Sequence, residues 1–171
     1  MDNESKNMTT NTYDNAIKNY STARGYVQSI FLIATNERRY QANKDTPFIL
    51  ASMLLAGFAV ELYLKAYLQR SGFKESIKTH DLRKLSHLCE KRGLPASKMK
   101  DLVDFFYQSH RDGLYRYMRG EHEYEVPKLH ILFNLLSDLN NIVDEALGAR
   151  ASYGLEIDGQ WNFPEKNNWR Y

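Results

Sequence analysis

The stretch AGFAVELYLKAYL, residues 56–68, limits the fold more than any other part of the chain. Stepping about 100° per residue from Leu50 puts Glu61 near 20° and Lys65 near 60°, with Leu54 between them and Leu68 and Phe58 on either side. This helix has no polar face on which two charges could meet water. A helix that is apolar all round is the buried one of its domain, and charges inside a protein are paired. The spacing predicts an internal Glu61–Lys65 pair, with glutamate on the N-terminal side, the favourable order at i,i+4. Otherwise a further charged group comes to meet them, and Glu61 then orients a functional side chain on a neighbouring helix.

Other helical stripes surround it. Ile17, Tyr20, Ala23, Val27, Ile30, Phe31 and Ala34 keep helical spacing, from Thr12 onward. Thr46-Pro47 starts the second helix, which runs to about Arg70 before Gly72. Thr79-His80-Asp81-Leu82 opens a third, roughly 80–92, with Thr79 and Asp81 suited to its cap and His80 beside them. Met99, Leu102, Val103, Phe105, Phe106 and His110 mark a fourth, broken by Asp112-Gly113. The last long helix follows Pro127 and ends at Gly148.

The expected fold is all-α: a four- to five-helix bundle, mostly up-down, over residues 12–148. Residues 1–11 are expected as a mobile tail with nothing to bury. Residues 149–171 form a C-terminal extension in which LEIDGQWNF has the turn chemistry of a small β-hairpin. Asp112 to Val126 reads either as a hairpin turning at Arg119-Gly120 or as an irregular continuation of the fourth helix.

Composition excludes several classes. With 43% apolar residues, 26% charged and a net charge of +2, the chain buries a core and carries no overall field that demands a polyanion. The one cysteine, Cys89, rules out an internal disulfide and suits a reducing, cytoplasmic setting. Pro47 to Val60 is too short to span a bilayer, and no secretory leader begins the chain, so no membrane partner is expected. The five histidines show no zinc spacing with the cysteine, which predicts no metal and no cofactor.

The motifs GFAVELYLKAYL, HDLRKL and LYRY together resemble the HEPN superfamily, across roughly residues 46–145. That resemblance implies a helical bundle, often a homodimer, in a group rich in ribonucleases, RNA- or nucleotide-binding modules and bacterial toxins. Active members use Arg-x4–6-His without metal, the arginine on phosphate and the histidine on the ribose hydroxyl. Here Arg116 and His122 form an Arg-x5-His, and Tyr124 follows. Toxins paired with a nucleotidyltransferase-type antitoxin carry Arg-x4-His-x-Tyr, one residue shorter, with a polar residue where Tyr117 stands. The resemblance assigns catalysis to Arg116 and His122, with Glu61 orienting one of them. Around them Arg111, Tyr115, Tyr117, Arg119 and Tyr124, with Lys65, supply the forked cations and flat rings that suit unpaired RNA. The alternative is a non-catalytic dimeric interaction or adaptor module of the same fold.

Overall fold

The computed structural model describes residues 2–35, 46–73, 77–95, 97, 99–117 and 126–148, with side chains described from residue 13 onward except at 46 and 47. Within them the chain is all-helical: α1 (Asp2–Thr35), α2 (Thr46–Arg70), α3 (Leu82–Glu90), α4 (Lys100–Arg111), α5 (Leu114–Tyr117) and α6 (Leu129–Ala146). The expected C-terminal hairpin lies outside the described residues.

On α1, Ala16, Tyr20, Ala23, Val27, Ile30 and Ala34 are buried. They alternate steps of four and three, which keeps one stripe against a neighbour. That neighbour is α2. Tyr20 meets Tyr63, Tyr26 meets Phe58, and the Asn19 amide donates to Gln69 Oε1 at 2.9 Å. As position rises on α1 it falls on α2, so the two helices are antiparallel. Tyr20 also donates to Asp144 Oδ1 at 2.9 Å, and Phe31 packs edge-on against Phe133, so α1 is antiparallel to α6 as well. Helical backbone begins at Asp2, ahead of the apolar pattern, so residues 2–11, expected as a tail, prolong α1. Extending an existing helix fixes each residue with a bond already aligned, whereas starting one does not.

Helix α2 packs against every other helix among the described residues. This is why it lacks a polar face: Met53, Ala56, Ala59, Val60, Tyr63, Leu64, Ala66 and Leu68 are all fully buried. Its stretch from Phe48 to Arg70 is long and apolar enough to cross a membrane, longer than the run to Val60 suggests. Yet 56% of its most apolar 18-residue window is buried inside the bundle, as suits a core helix.

Asp81 caps α3, its carboxylate accepting from the Lys84 amide at 2.9 Å, while Thr79 Oγ1 accepts from the Asp81 amide. Leu82, Leu85 and Cys89 form the inner stripe of α3. The buried Cys89 thiol donates to the Leu64 carbonyl of α2 at 3.3 Å. Burial pushes this thiol well above its ordinary range. Gly113 adopts φ +66°, a left-handed turn open to glycine, and restarts the chain as the single helical turn α5. Leu114–Tyr117 is therefore helix rather than the first arm of a hairpin, and residues 118–125 lie outside the described residues.

A candidate site around a buried carboxylate

Gly57, Glu61 and Lys65 stand four apart on α2 and so share one of its faces. The end of α4 brings His110 to that face, and the segment leading into α3 brings His80. Glu61 Oε2 accepts from His110 Nε2 at 2.6 Å, and Oε1 accepts from Lys65 Nζ at 2.6 Å. His80 Nδ1 lies 3.0 and 3.1 Å from the two carboxylate oxygens. Side-chain exposure grades outward, from 3% at His110 and 5% at Glu61 through 13% at Lys65 to 64% at His80.

Burial alone would raise the pKa of Glu61, but donation from His110, Lys65 and His80 outweighs it and holds the carboxyl down at about 2. Its ionised form is thus stabilised by folding. That contribution is complete above the ordinary carboxylate range near 4.5 and is lost as pH falls toward 2.

An ionised carboxylate only accepts hydrogen bonds. The nitrogens facing it therefore carry the protons: Nε2 of His110 and Nδ1 of His80. The His110 ring is held by steric contact as well. A Cβ on Gly57 would lie 2.8 Å from its Nδ1, so only glycine lets the ring approach α2 this closely. Phe58 packs edge-on against the same ring at 5.2 Å.

The Arg116 guanidinium of α5 lies 5.2 Å from the Phe58 ring centroid and 5.9 Å from that of Tyr117. It is exposed and forms no ion pair among the described residues. Arg116, Phe58, His110 and His80 thus run in sequence across the middle of α2, each next to the following one.

Several expectations change here. Glu61, expected to orient Arg116 or His122, among the described residues binds His80, His110 and Lys65 instead of Arg116. Tyr115, expected to stack on a base, is buried against the bundle and offers no free face, whereas Tyr117 is exposed. Arg111 is exposed but engaged, with Asp112 Oδ1 at 2.9 Å and the Tyr107 hydroxyl at 2.9 Å. The Lys65 ammonium is committed to Glu61. Arg119, His122 and Tyr124 lie outside the described residues. Sequence reasoning placed His80 at a cap and His110 on an inner stripe and missed that both converge on Glu61. The one available signal was the carboxylate itself, since a single lysine leaves acceptor positions of a buried carboxylate unfilled.

The histidines also stand closer to a carboxylate than their spacing suggests. One ligand-type atom each from Glu61, His80 and His110 fall within 4.8 Å of one another, a grouping of the size that holds a divalent ion. Against that use, the Lys65 ammonium already occupies Oε1 at 2.6 Å and neutralises the carboxylate. The arrangement works as a hydrogen-bonded charge network.

The family model for the HEPN domain matches residues 39–129, a little over half of the chain, and spans α2 to α5 with every member of the network. No curated protein and no solved structure matches the chain. The helical bundle, the matched span and the placement of α2 agree, and this chain belongs to the HEPN family.

Proposed function

We propose that this HEPN protein binds RNA phosphate through Arg116 and cleaves single-stranded RNA without a metal ion. The observation that carries this reading is the placement of Arg116. An exposed guanidinium with no ionic partner among the described residues lies over Phe58, at the edge of a buried carboxylate–histidine network. A planar fork of this kind matches two phosphate oxygens at once. The exposed Tyr117 ring beside it offers a base a stacking face. Membership of the HEPN family supports the same class of reaction. The biological role that fits is a cytoplasmic toxin or defence ribonuclease working as a homodimer and held in check by a nucleotidyltransferase-type antitoxin. Leu32 on α1 and Ile131 on α6, both exposed, supply apolar contact for a second copy.

The test uses end-labelled single-stranded RNA with chelator present. The wild-type chain is expected to generate fragments ending in 2′,3′-cyclic phosphate. Arg116→Ala should lower turnover on the order of 100-fold, as loss of one charge-stabilising donor does, with an unchanged melting temperature because the side chain is exposed. In cells the same substitution should relieve slow growth on overexpression. Equal cleavage by Arg116→Ala would remove the arginine from the reaction. Binding without cleavage would favour the non-catalytic dimeric module.

A further inference from the structure

We infer that His80 is the proton-accepting residue of this site, its Nε2 turned to substrate by Glu61. The inference rests on the ribonuclease reading and names a group that the Arg-x5-His motif does not contain.

Three histidines on or near α3 and α4 invite comparison. His110 shares the carboxylate but is enclosed, with 3% of its side chain exposed, and cannot touch a substrate. His87 is exposed, but its only charged partner among the described residues is the exposed Glu90 at 3.8 Å, too far to fix a ring. His80 combines both requirements. Its side chain is 64% exposed, and its Nδ1 lies 3.0 and 3.1 Å from the two oxygens of a buried carboxylate.

That carboxylate is rigid. Lys65 from the same helix holds Oε1 and His110 from α4 holds Oε2, and Gly57 and Phe58 fix His110 in turn. Asp81, next in the chain, is committed to capping α3. The Nδ1 proton of His80 therefore points inward, and its Nε2 lone pair points out, with no partner among the described residues. This is the arrangement in which a carboxylate fixes the tautomer of an imidazole and stabilises the cation it becomes.

The step follows directly. Nε2 of His80 removes the proton of a ribose 2′-hydroxyl as O2′ bonds to the adjacent phosphorus. The bond from phosphorus to the 5′-oxygen breaks, and the departing oxygen takes a proton from water. The imidazolium then returns its proton to solvent.

Two measurements on the full chain decide it. Nitrogen NMR at alkaline pH is expected to show His80 as the Nδ1–H tautomer, opposite to the preference of a free side chain in water. His80→Ala should lower turnover on single-stranded RNA by about 100-fold or more, within the range for loss of a general base, with KM little changed and the acid limb of the pH profile flattened. His80→Gln keeps an N–H for Glu61 but has no basic nitrogen, so it should melt with the wild type and still lose turnover. An Nε2–H tautomer, or cleavage retained in His80→Gln while His122→Ala abolishes it, overturns this inference and leaves the ribonuclease reading standing. RNA left intact by the wild-type chain overturns both.

Discussion

Glu61→Ala is expected to lower stability by about 3–5 kcal/mol, the usual cost of removing one member of a buried ion pair. For a chain of this length, that moves the melting temperature by on the order of 10 °C. The loss comes from what is left behind. Lys65 keeps an ammonium with only 13% of its side chain exposed, and His110 keeps an inward N–H in a site that is 3% exposed. A buried donor stripped of its acceptor bears the full cost of leaving water. Thermal melts followed by circular dichroism check the size of the effect, and a shift of about a degree or less would show the pair to be a surface feature. The pH dependence supplies a second check. Wild-type stability should decline as pH falls from 4.5 toward 2 through protonation of Glu61. Glu61→Ala should lose that part of the acid slope. Glu61→Gln, which still accepts a hydrogen bond, should fall between the two at neutral pH.

Gly57→Ala should also destabilise, which reverses the ordinary rule. In the middle of a helix, alanine is favoured over glycine by about 1 kcal/mol. Here the added methyl group would meet His110 Nδ1 at 2.8 Å and Cγ at 3.4 Å. The ring is held by its 2.6 Å bond to Glu61 and by edge-on contact with Phe58 at 5.2 Å, so moving away from the methyl group strains both. Overpacking of this kind costs about 1–3 kcal/mol, and the broken bond to the carboxylate adds to it. The expected net loss is about 1–3 kcal/mol, and under the proposed ribonuclease reading cleavage weakens too as the carboxylate loses a donor. Gly25→Ala is the matched control. Gly25 is exposed on α1, and a methyl group added there would have no atom within 4 Å. The same substitution at that position should stabilise by about 0.5–1 kcal/mol. Equal outcomes at the two sites would remove the steric role given to Gly57.

These two substitutions lie on the helix that sequence reasoning read best. Its lack of a polar side follows from residue spacing alone, and so does its place at the centre of the bundle. The α1 stripe and the Asp81 cap were legible for the same reason: each depends on neighbours within a turn or two. The turn at Leu114–Tyr117 was not, because alternating tyrosines imitate a strand, and the left-handed Gly113 that restarts the helix leaves no periodic trace. The network around Glu61 was half legible. Lys65 stands one turn away and was paired correctly. His80 and His110 are 19 and 49 positions distant, and only the packing of α4 and the lead into α3 on α2 brings them to one carboxylate. A histidine beside a cap and a histidine on an apolar stripe each have an ordinary local explanation, which hid the common destination.

The seam between α2 and α3 has a practical corollary. The protein's one sulfhydryl, at Cys89, is sealed there against the Leu64 carbonyl. A thiol-labelling reagent in solution can reach it only when the two helices part. Its modification rate is therefore a native clock for the opening of the bundle, readable without adding a dye or altering a residue.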